Sequence, residues 1–208
     1  MAPQPLSTAL KRPAARLAVL ASGRGSHLRN LYKACAQGIL DAEICLVVSN
    51  NVRSGAWHFA SSEDLPHWFC NTSADVKRSA VDKALADCLL EHRIDWVITA
   101  GYLKKIGPST LAAFPNKIIN IHPALLPNYG GAGMYGQNVH RAVLAANERQ
   151  SGATVHYVTA HYDEGAIIAQ NHVTITPGMT PDSLAEAILK IEHPLLVHAL
   201  QGLLTHHD

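Results

Sequence analysis

The sequence predicts an α/β fold: a mostly parallel sheet flanked by helices, with a C-terminal antiparallel strand pair. Three observations predict it. Short apolar runs alternate with helix-period segments from residue 16 to about residue 121. A glycine turn, Ser22-Gly23-Arg24-Gly25-Ser26-His27, joins the first run to the first helix. Two later runs are separated by a turn at Asp163-Glu164-Gly165, with no helix between them, which permits antiparallel pairing.

Residues 1–15 carry Pro3, Pro5 and Pro13 and no acid, and read as a frayed tail. Their basic, acid-free character weakly resembles a transit peptide, but the prolines break any amphipathic helix. One folded domain is expected over 16–208. Arg16–Ser22 is an apolar run ending at Gly, read as a buried strand. Ser26–Gln37 has Leu28, Leu31, Ala34 and Cys35 at helical spacing, and Gly38 is a natural stop. Glu43–Ser49 is a strand, Ser54–Ser62 a helix and His67–Asn71 a strand. Val76–His92 reads as an amphipathic helix with Ala80, Ala84, Cys88 and Leu89 on its apolar face. Ile94–Ala100 is a strand, Pro108–Phe114 a short helix opening with Pro, and Lys117–Ile121 a strand. A Gly-rich loop, Asn128–Gly136, leads into a helix at Val139–Ala146. Gly152–Thr159 and Ile167–Ile175 form the strand pair. The last helix runs from Pro181 to Leu203, with a kink expected at Pro194.

Composition narrows the function. The 208 residues are 48% hydrophobic, enough for a sizeable core, which excludes wholesale disorder. Seventeen Lys+Arg against sixteen Asp+Glu give a net charge of +1, so no global field exists to wrap nucleic acid. An anionic partner must be held by a local site. No run approaches the roughly 18 apolar residues of a membrane span. Cys35, Cys45, Cys70 and Cys88 form no C-x-x-C pair, which argues against a disulfide framework or zinc ribbon. They read as small buried hydrophobes in a reducing, cytoplasmic setting. The sequence has no H-E-x-x-H, and His206-His207 reads as a solvated tail, so no metal is expected.

Three places could carry chemistry. At Gly23–His27 the amides of a glycine turn meet the positive end of a helix dipole, an arrangement that binds phosphate. It is neither a dinucleotide fingerprint, since Leu28 stands where the third Gly belongs, nor a Walker loop, since G-K-[ST] is absent. Such a turn also occurs without a ligand. Asn120 and His122 close a strand, where ligands of open α/β sheets bind, and being two apart they face one side. One amide donor then meets one imidazole that can move protons near neutral pH. Against this, most of the 13 histidines must serve surface or core roles. Asp163 lies in Tyr162-Asp163-Glu164-Gly165, which is also ordinary turn chemistry. Beside His122 its carboxylate would favour imidazolium and raise the His122 pKa.

Together these segments resemble the phosphoribosylglycinamide formyltransferase family of folate-dependent enzymes, from Arg16 to about Leu200. The most specific match is Ile118–Pro127, IINIHPALLP. VLASGRGSHL resembles the family's phosphate loop, ITAGYLKKI its folate-side strand and loop, GATVHYVTAHYDEGAIIAQ the segment with its catalytic Asp, and IEHPL part of its last helix. The resemblance implies a Rossmann-like formyltransferase fold. It assigns catalysis to Asn120, His122 and Asp163, and the substrate phosphate to Gly23, Gly25, Ser26 and His27. Glu192 is implied to hold the glycinamide substrate. Arg78, Leu103, Lys104, Lys105, Ile106 and Asn120 are implied on the folate side. His27 stands where Asn is frequent, Lys104 where Arg is frequent, and the loop NYGGAGMYGQNVH is longer than the commoner P-G-L-H-T-H form.

The implied reaction moves the formyl group of 10-formyltetrahydrofolate, the co-substrate, to the amine of glycinamide ribonucleotide. That is a step of de novo purine biosynthesis. Direct amine attack fits the lack of a Cys or Ser elbow. The implied partners are small molecules, with no nucleic acid and no membrane, on a monomer or homodimer. Alternatives are a 10-formyltetrahydrofolate hydrolase, another N-formyltransferase, or a silent nucleotide-binding module. The hydrolase pattern has a second His where Pro123 stands, and an extra N-terminal domain for which fifteen residues are too few.

Overall fold

The computed structural model describes residues 13–73 and 76–205. The expected tail lies outside them except for 13–15, as does His206-His207. The elements are β1 (Ala15–Leu20), α1 (Ser26–Ala36), β2 (Ala42–Ser49), α2 (Gly55–Ser62), β3 (His67–Phe69), α3 (Arg78–Glu91) and β4 (Trp96–Thr99). Then come α4 (Pro108–Ala113), β5 (Ile118–His122), α5 (Gln137–Ala145), β6 (Gln150–Tyr157), β7 (Ile167–Thr174) and α6 (Pro181–Thr205). Every expected element is present, with bounds moved by a few residues. The strands form one sheet in the order β3-β2-β1-β4-β5-β6-β7. Pairing is parallel from β3 to β5, then antiparallel for β5–β6 and β6–β7. The expected strand pair is therefore found, and β6 also runs antiparallel to β5.

The central strands are buried on both faces, as uninterrupted apolar runs require in a parallel sheet. One apolar cluster packs α1, α5 and α6 on one face, with Leu17, Leu28, Ile98, Ile188 and Leu196 among its members. The other packs α3 and α4 around Leu20, Leu46, Leu85, Leu89 and Ile118. Cys45, Cys70 and Cys88 are buried there, and burial pushes the Cys45 thiol up to about 12 and Cys88 to about 11. Such thiols are protonated and inert at neutral pH.

Caps mark the helix ends. Ser54 Oγ accepts from the Trp57 amide at 3.1 Å, an N-cap for α2. Thr180 and Ser183 cap α6 reciprocally, each side-chain oxygen accepting from the other's backbone N–H. The kink expected at Pro194 does not divide α6, which is one 25-residue helix.

The face of α3 corrects the sequence reading. Ala80 and Ala84 are exposed, while Asp82, Leu85, Ala86, Cys88 and Leu89 turn inward. Asp82 is only 8% exposed because its carboxylate caps α4 from outside, accepting from the Ser109 amide at 2.7 Å, the Thr110 amide at 3.2 Å and Thr110 Oγ1 at 2.7 Å. A buried acid fully occupied by helix donors phases α3 more strongly than two alanines do.

Among the described residues, no helix is long and apolar enough to cross a membrane.

Candidate active site

The C-terminal ends of β1, β4 and β5 meet at the point where the strand order reverses, the usual ligand position in open α/β sheets. A cavity of about 580 Å³ opens there. It falls within the roughly 300–1,000 Å³ of small-molecule sites.

Its floor is the end of β5. Asn120 and His122 both face it, as their two-residue spacing dictates. His122 is 3% exposed. Its Nε2–H donates to the Tyr129 carbonyl at 2.8 Å, and its Nδ1 lies 3.6 Å from Asp163 Oδ2. Asp163 arrives from the turn between β6 and β7, with its backbone at φ 57°. The Gly131 amide donates to Asp163 Oδ2 at 2.9 Å, tying the Gly-rich loop to the carboxylate. The fold thus brings Asp163 to the Asn120–His122 pair from a separate segment of the chain.

The electrostatics depart from expectation. Asp163 does push the His122 pKa upward, as does the Tyr129 carbonyl. Burial pushes it down and wins, so His122 lies below its ordinary value. Two residues of sequence cannot show how dry a strand end will be. Burial likewise raises the Asp163 carboxyl, but nearby His156, the His122 charge and the Gly131 amide outweigh it and hold it below the usual range.

His156 is a neighbour of this cluster that sequence analysis missed. It is 2% exposed, and its Nε2 sits 3.0 Å from Asn120 Nδ2 and 3.5 Å from Asp163 Oδ1. The antiparallel register sets it opposite Asn120. Sequence offers a signal only once that pairing is known. His140 of α5 was also missed. It is buried in the cavity wall, and burial lowers its pKa while Glu192 opposes.

The phosphate-loop residues line the opposite end. Gly25 caps α1 at φ 75°, and a Cβ there would meet the Ala56 backbone within 3 Å, so only glycine fits. No side chain at the N-cap position satisfies the first amides of α1. Gly23, Ser26 and His27 line the wall. Glu192, 7% exposed, reaches this end from α6, with Oε2 3.4 Å from His27 Nε2. His193 packs edge-on to His27 with ring centroids 5.0 Å apart.

Leu103, Lys104, Lys105 and Ile106 all line the cavity, and Lys105 Nζ stands 5.5 Å over the Tyr162 ring. Leu103, Tyr135 and Tyr162 are about half exposed at the mouth, an apolar rim suited to a flat ring system. Arg78, at the start of α3, is exposed and forms no part of this wall.

A family model described as Formyl transferase matches residues 15–200. The chain belongs to the formyl transferase family. Among relatives of this formyl transferase, the chloroplastic phosphoribosylglycinamide formyltransferase of Arabidopsis thaliana is 39% identical over 186 residues, covering 89% of this chain and 64% of that protein. The Haemophilus influenzae phosphoribosylglycinamide formyltransferase is 33% identical over 171 residues, covering 82% of this chain and 77% of that protein. The crystal structure of glycinamide ribonucleotide transformylase 1 from Symbiobacterium toebii superposes with TM-score 0.84 at 34% identity, covering 90% of this chain and 86% of that one. The chain spans 64% and 60% of the length of two plant relatives, from Arabidopsis thaliana and Vigna unguiculata. The resemblance drawn from the motifs and the expected fold class both stand.

Proposed function

We propose that this formyl transferase carries the formyl group of 10-formyltetrahydrofolate to the amine of phosphoribosylglycinamide, a step of purine biosynthesis in a cytoplasmic setting. The convergence of Asn120, His122 and Asp163 at one end of a cavity whose other end carries the uncapped start of α1 is the observation that supports it. The relatives named for this reaction favour the same substrates.

In this reading the phosphate rests on the amides at Gly23–His27, and Glu192 with His27 holds the ribonucleotide. The folate ring enters between Leu103–Ile106 and Asn120. The substrate amine attacks the formyl carbon. A C–N bond forms, and the carbonyl oxygen becomes an oxyanion. Asn120 Nδ2 donates to that oxygen, and His122 gains favour as imidazolium because charge is developing beside it. Asp163 and His122 relay the one proton shed by the attacking amine to the folate nitrogen, which receives it as the oxyanion collapses and the bond between that nitrogen and the formyl carbon breaks. The downward shift of the His122 pKa by burial, opposed by Asp163, fits this order.

The test supplies a 10-formyl folate and follows the deformylated folate. Release that requires the ribonucleotide is expected. Release without any acceptor would make the chain a hydrolase, and no release under either condition would overturn the transferase reading.

A further inference from the structure

Thr99, Asn120 and His156 stand side by side on three neighbouring strands. The parallel register pairs Thr99 with Asn120, and the antiparallel register pairs Asn120 with His156. Their side chains make one hydrogen-bonded row. Thr99 Oγ1–H donates to Asn120 Oδ1 at 2.8 Å, and Asn120 Nδ2–H donates to His156 Nε2 at 3.0 Å. His156 Nδ1–H donates to the Tyr157 carbonyl at 2.9 Å.

Every link runs in one direction, and the two ends dictate it. A carbonyl only accepts, so His156 Nδ1 carries a proton; with one proton on the ring, the lone pair at Nε2 faces Asn120 Nδ2 at 3.0 Å, while Asp163 Oδ1 lies farther off at 3.5 Å, beyond a good hydrogen bond. That lone pair calls for the N–H side of Asn120. At the other end Thr99 is 5% exposed, and its hydroxyl hydrogen reaches Asn120 Oδ1 more closely than the Ile119 carbonyl at 3.2 Å. It calls for the oxygen side of Asn120.

The direction matters because an amide is nearly symmetric in shape. A half turn of the Asn120 side chain exchanges oxygen and nitrogen at little steric cost. One orientation aims an N–H into the cavity. The other aims an oxygen lone pair at the place where an oxyanion must form.

We propose that Thr99 is a positioning residue that locks the polarity of Asn120, so that the free Nδ2–H of Asn120 faces the cavity. This rests on the reading of Asn120 as the oxyanion donor. Loss of the Thr99 hydroxyl releases one anchor and leaves Asn120 Oδ1 without its donor.

The test compares Thr99→Val, which keeps the shape, with Thr99→Ser, which keeps the hydroxyl. Asn120→Ala serves as reference, and a Thr99→Val/Asn120→Ala double variant completes the cycle. The loss of one net hydrogen bond predicts a fall in kcat of roughly three- to tenfold for Thr99→Val. KM for both substrates stays within about twofold, because the lock acts on the transition state. Thr99→Ser restores kcat. In the Asn120→Ala background, read under single-turnover conditions, Thr99→Val adds nothing. An unchanged kcat in Thr99→Val beside a crippled Asn120→Ala would overturn the lock and leave the oxyanion reading intact. A full-rate Asn120→Ala would overturn both. An equal loss in both backgrounds would mean general damage to β4 and would also overturn the lock.

Discussion

Asp82 and Asp163 invite comparison. Both are withdrawn from solvent, both are held below the usual carboxylate pKa, and both have a glycine pressed against them. At Asp82, burial raises the pKa, but the Thr110 hydroxyl and the Ser109 and Thr110 amides outweigh it. None of those donors titrates, and the distances are short. At Asp163, one permanent donor, the Gly131 amide, is joined by two imidazoles at 3.6 and 3.5 Å. Those distances are longer than good hydrogen bonds. A carboxylate whose partners are all fixed donors is finished and can only hold structure. One whose partners are loosely placed and exchange protons still has chemistry available, and only this one faces the cavity. Burial and a shifted pKa do not separate the two; the nature of the partners does.

The widest gap between them should appear in turnover. Asp163→Asn should lower kcat about 10³-fold, in the range for losing a proton-transfer group, with a smaller fall in thermal midpoint than Asp82→Ala. Asp82→Ala should do the reverse. It strips three donors of their acceptor at the start of α4. A cost of about 2–3 kcal/mol lowers Tm by roughly 5–10 °C, with kcat little altered. Steady-state kinetics and thermal unfolding of the two variants check both. A kcat loss in Asp82→Ala as deep as that of Asp163→Asn would erase the distinction.

The two glycines probe the same contrast more gently. A Cβ on Gly130 would come within 2.6 Å of Leu126 Cδ2 and 3.0 Å of Asp163 Cβ. Gly130→Ala should displace the carboxylate and lower kcat about tenfold. A Cβ on Gly107 would run into the Asp82 carboxyl group itself. Gly107→Ala should cost about 1–3 kcal/mol in urea unfolding, with kcat retained. Exchanged phenotypes would break the comparison.

The contrast also explains what could be read in the chain before folding. Element order was legible because apolar period and glycine stops are local properties. Asn120 and His122 were legible as a strand-end pair because two-residue spacing fixes their side. Thr99 and His156 were not, since they join Asn120 only through registers spanning 21 and 36 residues. The His27–Glu192 contact spans even more of the chain, from α1 to α6. Asp82 was hidden for a different reason: a polar residue on a helix is assigned to solvent unless the donors that satisfy it are known, and those lie on α4. The upward push of Asp163 on His122 could be guessed from sequence, while the depth of burial that overrides it could not.

The smallest expected effect lies in the pH dependence of stability. Asp82 has a folded pKa below its ordinary 3.8. A depressed carboxylate contributes stability that is fully present above the unfolded pKa and is lost as pH falls through the folded one. Its donors do not titrate. The stability gap between wild type and Asp82→Asn should therefore be flat from about pH 5 to 8 and narrow below about pH 4. Asp163 obeys the same rule in acid, since its pKa is also lowered. Above that its profile should differ, because one of its partners is His122, whose pKa burial places below 6.5. The attraction between Asp163 and a charged His122 exists only while the ring is protonated, so the Asp163→Asn gap should shrink as pH rises through that range. Urea unfolding of both variants between pH 3 and 8 reads the two curves. Superimposable profiles would show that the imidazoles lend Asp163 nothing a fixed amide could not, and the contrast with Asp82 would then rest on cavity access alone.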